Sequence, residues 1–480
     1  MAINLREADR DQLYLLPPSV ADWLPEDHFA YFILDVVAQF DLTAFYAGLR
    51  EDGRGGAAYD PATVLAALLY AYSVGERSSR RIEQRLIEDV AFRVVAANQQ
   101  FDHATLARFR RRHADALCDL FAQVLGLCVS EGLVMSGVVS IDGTKLEANA
   151  SLAANRTRRQ LAEEVLGEAE QVDHDDDERL GDARGDELPD RWRRRDGRRA
   201  RVAEALRQLD EADASDYEFR LAARAQKEAE LGHKLSGAKP SPTSGRAKER
   251  IANPTDPDSR PLRSHGHFIQ GYNAQAAVSA DQVIVAAEVT NAASDTTMFI
   301  PMVRATEENL ARAGAAPAAT FAADTGYWNV ENVTMDVDAE LLVTPMPVVN
   351  GNLEPGDTRL ELREAIFARV ERGELSLPAA AVEMDISAAW AWRLFTNRQR
   401  GRGDPAVLRK QMLERLDSPE GRRRYALRKV TTEPVFGNIK ANLRFRRLSG
   451  RGIVLATSEW RLICTVHNLF KVRNHRLRMA

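Results

Sequence analysis

Residues 137–151 read "GVVSIDGTKLEANAS". Val138, Val139 and Ile141 make a short apolar, β-branched run, the composition of a buried strand, and Gly143 reads as the turn that ends it. Asp142 is then expected at the strand end. An acid in that place commonly caps the turn. It becomes half of a metal site only if other parts of the chain bring partners to it.

The 480 residues, 45% of them hydrophobic, suffice for two to four domains with a sizeable core. No apolar run reaches the roughly eighteen residues that a membrane helix needs, so no membrane partner is expected. The opening "MAINLREADRDQLYLLPP" lacks the basic-then-apolar order of a signal peptide, and Cys118, Cys128 and Cys464 fit neither a disulfide framework nor a zinc spacing. A cytoplasmic, nucleoid-associated protein is expected. The net charge of −5 is uneven: from Thr396 to Ala480 there are 21 Lys/Arg against 6 Asp/Glu, about +15 in 85 residues. The acidic excess lies elsewhere, notably in "DHDDDE" at 173–178. A basic C-terminal fifth interleaved with Tyr425, Phe436, Phe445 and Trp460 points to a polyanion.

Residues 1–135 read as helical. Asp60 and Pro61 open "DPATVLAALLYAYSVGERSSRRIEQRLIEDVAFRVVAAN" as cap and first-turn proline, and a second helix after "FDHATL" carries Arg108, Arg110, Arg111 and Arg112. Such a pair suggests a helix-turn-helix-like DNA contact, Arg108 and Arg111 being its candidate residues, although an arginine stripe is more often plain scaffold. Residues 153–261 alternate in charge, expected as long solvated helices in a hairpin or coiled coil followed by a Pro/Ser/Gly linker. Next come two β-runs, "HFIQGYNAQAAVSA" and "QVIVAAEVTN", with a turn at Ala280–Asp281. A helix capped at Ser294/Asp295 follows, then a strand ending in Asp324, a short helix, and the strand "AELLVTPM". Within the helical stretch 348–429, "LSLPAAAVEMDISAAWAWRLFTNRQRG" has a helix-turn-helix pattern, with small Ala381 and a turn at Asp385–Ser387. "TTEPVFGNIKANLRFRRLSGRG" reads as a basic amphipathic helix with Glu433 in its first turn, and a closing helix buries Trp460, Leu462, Ile463, Val466, Leu469 and Phe470.

Loops leaving the ends of neighbouring strands open onto one crevice, so Asp142 and Asp324 can meet there, and a helix packed across the sheet can add Glu433. Three hard oxygen ligands with open positions suit Mg²⁺ or Mn²⁺, and two such ions clamp both oxygens of an in-line phosphodiester displacement. Asp295, Asp336 and Glu340 read as caps or surface charges.

These blocks together resemble the DDE transposases of bacterial insertion sequences. "SIDGTKLEANAS", "GYNAQAAV", "AADTGY" and "EPVFGNIKANLRFRRLSGRG" are similar to the core blocks of that family, and the N-terminal helical segments to its leading domain. The resemblance implies an α/β fold: a ribonuclease-H-like mixed-sheet core (136–152, 262–347, 430–480), an all-α DNA-binding N-terminal domain (1–135), and helical insertions (153–261 and 348–429). It implies Asp142, Asp324 and Glu433 as the catalytic, metal-binding triad with two Mg²⁺ or Mn²⁺ ions. The implied reaction is DNA cleavage at terminal inverted repeats and strand transfer into target DNA, by a homodimer in the synaptic complex. The family also places Tyr, Arg and Lys around the glutamate. Tyr425 and Lys440 are available; Arg428 keeps the spacing from Tyr425 and Lys429 the spacing to Glu433, so both stay candidates. Lys440 is expected on the face of Glu433, aimed at a phosphate. Lys145, Arg444, Arg446 and Arg447 complete the candidate DNA contacts. A nuclease that cuts without joining, and a catalytically silent DNA-binding regulator, are the competing readings.

Overall fold

The computed structural model describes residues 20–47, 49, 58–134, 137–161, 163, 190–231, 234, 239–241, 250–264, 266–345, 359–399 and 405–479. The acidic run 173–178, most of the 236–249 linker and the first nineteen residues lie outside these.

The central strand is β1 (Val138–Glu147), and it does not stop at Gly143. Antiparallel pairing with β5 (His267–Ser279) runs unbroken from Val139↔Ser279 to Glu147↔Gly271. The glycine serves close approach instead of a turn: a Cβ on Gly143 would lie 2.3 Å from Gln275 Nε2 and 2.7 Å from Asp295 Oδ1. On its other side β1 pairs in parallel with β7 (Thr320–Ala323), and that ladder ends at Ile141↔Ala323. Asp142 and Asp324 are therefore the next residues of two neighbouring parallel strands, at equivalent register, just beyond their last pair. The expectation of a strand end at Asp142 is corrected to the end of one ladder inside a longer strand.

β8 (Glu340–Val343) pairs in parallel outside β7. β6 (Ile284–Thr290) pairs antiparallel with the second half of β5, forming the hairpin turned at Ala280–Asp281, and β4 (Arg260–Ser264) pairs with the first half. The linker was expected to run to Pro261, the second residue of β4. "RPLRS" has no strand pattern of its own and is held by pairing with residues 267–271. A separate two-stranded ribbon joins β2 (Arg156–Thr157) to β3 (Ile251–Ala252).

The N-terminal helices are α1 (Phe29–Val37), α2 (Thr43–Tyr46), α3 (Pro61–Ser73), α4 (Ser79–Glu88), α5 (Val90–Val95), α6 (His103–Arg112) and α7 (Ala114–Ser130). Asp60 accepts from the Ala62 N–H with Pro61 at the first turn, as the sequence indicates. In the inserted region, where a hairpin or coiled coil was expected, the described residues include the long helix α8 (Asp190–Leu231) and helical residues 158–161 and 163, with Leu161 packed against Val202, Ala205 and Leu209 of α8. α9 (Phe299–Arg312) packs on β5 and β6, and short α10 (Val330–Val333) follows β7. α11 (Arg359–Glu371), α12 (Leu377–Glu383), α13 (Ala388–Gln399) and α14 (Pro405–Asp417) form the second helical region. α15 (Pro419–Gly437) lies across β1, β5 and β7, and α16 (Ile453–Met479) across β6, α7 and α3.

One buried cluster spans both the N-terminal helices and the sheet. Trp460 is fully buried and donates Nε1–H to the Gln275 carbonyl at 2.9 Å, while Phe29 and Phe470 stack at 4.6 Å. Truncating Trp460 to Ala removes about 3–5 kcal/mol of packing. The helical and strand-bearing halves thus share a core. Among the described residues no single helix is long and apolar enough to cross a membrane.

Candidate active site

α15 begins at Pro419, capped by Ser418, so Glu433 lies deep in the helix and not in its first turn. Pro434 made Glu433 look like a helix start, since proline favours the first turn. Inside a helix, proline withholds the N–H that would bond the carbonyl four residues earlier, here that of Val430. Gln282, from the β5–β6 turn, supplies the missing donor: its Nε2 lies 2.8 Å from the Val430 oxygen. The helix therefore runs through Pro434 to Gly437 and continues as a π-helical turn over Asn438–Asn442. Residues 443–452 are not helical, correcting the expectation that the helix extends through "LRFRRLSGRG".

This long helix carries Arg428 to the two aspartates. Its NH2 group lies 3.0 Å from Asp142 Oδ2 and 3.6 Å from Asp324 Oδ2, and NH1 donates to the Tyr425 hydroxyl at 3.3 Å. One turn on, the Thr432 hydroxyl donates to Asp142 Oδ2 at 3.3 Å. The other oxygens are bonded locally, Asp142 Oδ1 to the Gly143 N–H and Asp324 Oδ1 to the Gly326 N–H, each at 2.8 Å. Burial pushes the Asp142 carboxyl above its ordinary range, against the opposing pull of Arg428. Arg428, although desolvated, is held charged by Asp142 and Tyr425. Lys429 points to solvent, so of the two spaced cations Arg428 is the one in the site.

Asp295 was expected as a helix cap or surface charge. It makes no side-chain cap bond; Ser294 bonds the Thr296 N–H instead. Asp295 Oδ1 accepts from Asn273 Nδ2 (2.6 Å), Gln275 Nε2 (2.8 Å) and Lys145 Nζ (3.1 Å). Asn273 and Gln275 are fully buried, and the Tyr327 hydroxyl bonds Gln275 Oε1, fixing which end of the amide faces the acid. A Cβ on Gly326 would lie 3.0 Å from Asp324 Oδ1 and 3.5 Å from Asp295 Oδ2, so Asp295 borders the same crevice. The signal in the sequence was the polar pair Asn273 and Gln275 on successive same-face positions of an otherwise buried strand.

The other candidates divide. Lys440 lies within the π-helical turn and donates to the Lys145 carbonyl at 3.1 Å; burial, Arg446 and Lys145 all depress its ammonium pKa. Tyr425 faces inward, its hydroxyl bonded to Thr344. Arg444 and Arg446 are exposed, and Arg447 pairs with Glu147 at 3.2 Å. On α6, Arg108 and Arg111 are exposed, but Arg110 turns inward to Tyr72, Ser79, Ser449 and the Arg77 carbonyl. Glu340, expected as a surface charge, pairs with Arg424 at 2.8 Å. In the α12–α13 turn, Asp385 adopts φ +54°, the left-handed conformation that usually favours glycine. Arg398 of α13 is engaged by Glu364 and Glu371.

Residues 18–112 match the family described as transposase domain (DUF772), and residues 399–473 match the family described as transposase DDE domain. Both matches support a DDE-type transposase. No curated protein and no solved structure matches it. Glu433 lies inside the second matched segment, and Asp142, Asp324 and Asp295 lie between the two. The chain thus presents two carboxylates that converge on one guanidinium, the donor chemistry of a hard divalent cation. Glu433 is exposed beside Thr432, and among the described residues no three acidic, histidine or cysteine side chains are gathered closely enough to hold a metal.

Proposed function

We propose that the protein cleaves DNA at the ends of an insertion sequence and transfers the freed strand into target DNA, using Asp142, Asp324 and Glu433. The observation that carries this reading is the pairing of Asp142 and Asp324 at equivalent positions of adjacent parallel strands, facing one helix that bears both Arg428 and Glu433. The strand order β6-β5-β1-β7-β8, three antiparallel then two parallel additions, supports a ribonuclease-H-like core. We divide the chain into that core, the N-terminal DNA-binding helices 1–135 and the insertions 153–261 and 348–429.

Bound Mg²⁺ or Mn²⁺ would activate the attacking water or 3′-hydroxyl and stabilise the leaving oxygen. Arg428 balances the negative charge of the two aspartates, which otherwise repel one another. Asp295 holds Lys145 beside the crevice, and Lys145 and Lys440 supply positive charge for the phosphate backbone. Lys429, Arg444, Arg446, Arg447, Arg108 and Arg111 extend that contact, and capture of two element ends calls for a homodimer.

The test is strand cleavage and joining of a labelled terminal-repeat duplex with a divalent ion. Asp142→Ala or Asp324→Ala should abolish both while duplex binding persists. Cleavage that survives either change overturns the site; cleavage without joining in the parent protein leaves a nuclease; binding with no cleavage leaves a regulator.

A further inference from the structure

A cavity of about 470 Å³ opens where α3, α6, α7, α8 and the 449–451 turn meet. Its lining contains four arginines, Arg110, Arg111, Arg201 and Arg451, and a single acid, Glu459. The arginines come from three separate parts of the chain: α6, the inserted helix α8 and the turn before α16. A stripe on one helix therefore does not account for them. Glu459 is already consumed, accepting from the Ser449 and Gly450 N–H groups at 2.7 and 3.0 Å, the Ser449 hydroxyl at 2.6 Å and the Tyr72 hydroxyl at 3.1 Å. Arg110 is spent on the same buried network.

Three guanidiniums remain. Arg201 uses Nε on the Pro254 carbonyl at 3.3 Å and Arg451 uses Nε on the Asn149 carbonyl at 3.2 Å. Among the described residues neither has a carboxylate at ion-pair distance. A concave site with more guanidiniums than carboxylates, in which Arg201 and Arg451 make no close ion pair among the described residues, suits an anion, and guanidinium forks match the geometry of phosphate oxygens.

The cavity's position relative to the aspartates narrows the anion. Asn149 lines it just beyond the end of β1, and Asp142 lies on the same strand. The strand from Asp142 to Glu147 and the two residues beyond it span roughly 20 Å, over half of a ~34 Å turn of duplex DNA. Lys145, Lys440 and Arg446 lie between the two points. We infer that the cavity binds a backbone phosphate of the DNA duplex, about half a turn or more from the phosphate being cut, with Arg111, Arg201 and Arg451 as its ligands. This rests on the transposase reading for its occupant.

The test uses the full-length Asp142→Asn protein, so that binding is read without cleavage, and a fluorescent duplex of arbitrary sequence titrated at several salt concentrations. Arg201→Gln with Arg451→Gln should lower the slope of log affinity against log salt by about one, the loss of one phosphate contact. Arg201→Lys with Arg451→Lys should keep the slope, and removing one positive charge at exposed Arg304 (Arg304→Gln) should leave it unchanged. A double Gln variant indistinguishable from Arg304→Gln overturns the inference, as does a double Lys variant that loses the slope, which marks a structural role. If inorganic phosphate at constant ionic strength brings the parent down to the double Gln variant, the cavity takes free phosphate and the DNA assignment falls. Absence of any duplex binding by the parent removes the transposase reading itself.

Discussion

Asp142 and Asp256 are the same residue type in the same chain, both pushed above the usual carboxylate range chiefly by burial, yet they keep different company. Asp256 is 0% exposed, accepts from the Tyr272 hydroxyl at 2.8 Å and the Gly452 N–H at 3.0 Å, and its Oδ2 has no hydrogen-bond partner among the described residues. It ties the start of α16 to β5. Asp142 instead faces a second carboxylate across one guanidinium, on the edge of an open crevice. A raised carboxylate pKa therefore marks burial. The second acid and the cation between them, which a metal ion of like charge could replace, mark the site.

The sharpest way to break this contrast is to remove each charge and measure cleavage. Asp142→Asn and Asp324→Asn should each lower cleavage of a plasmid bearing the element's ends by about a thousandfold or more, with the melting temperature preserved. Asp256→Asn should cut at the parental rate per folded molecule. Loss of cleavage in Asp256→Asn, with folding intact, would erase the distinction.

The opposite asymmetry is expected for stability. Asp256→Ala leaves the Tyr272 hydroxyl and the Gly452 N–H without their acceptor inside the protein, at a cost of about 2–4 kcal/mol. Urea unfolding reads it directly. Asp142→Ala should cost much less, because it also relieves the repulsion from Asp324.

Divalent ions provide a third separation, read without catalysis. A ligand at a hundred times its dissociation constant adds ~2.7 kcal/mol to the folded state. Thermal unfolding with Mg²⁺ or Mn²⁺ should show that gain in the parent and in Asp256→Asn, and lose it in Asp142→Asn. A shift that persists in Asp142→Asn places the ion elsewhere.

Much of the fold was readable in the sequence, although Asp256 lay in the stretch expected as linker. The β-run "QVIVAAEVTN", the cap at Asp60, the end of β7 before Asp324 and the turn at Asp385 all follow from local rules, because neighbours in sequence fix them. What escaped depends on partners far along the chain. Gly143 looked like a turn since glycine serves both turns and close approach, and only the packing of Gln275 and Asp295 selects the second. Glu433 looked like a helix start because the donor that excuses Pro434 sits on Gln282, 148 residues from the Val430 carbonyl it bonds. Asp295 looked like a cap for the same reason: the three donors that claim it come from β1 and β5. The choice between Arg428 and Lys429 needed the phase of α15 against the sheet, which spacing to a motif does not supply.

The smallest expected effect concerns the sign of a pH dependence. Burial raises the Asp256 carboxyl above 3.8, so the folded state holds its proton more tightly than the unfolded chain does. Stability from this group is then fully present at low pH and is lost as pH rises from the unfolded value through the folded one. Asp256→Asn keeps an acceptor for Tyr272 and Gly452 and removes the buried charge. The variant should match the parent near pH 4 and exceed it by up to about 1 kcal/mol at neutral pH, since replacing an imperfectly compensated buried charge is neutral to stabilising. Paired melting curves between these limits test it. A parent that gains on the variant as pH rises would mean that Arg451, which acts on Asp256 without a direct ion pair, outweighs burial, and the contrast with Asp142 would close from the other side.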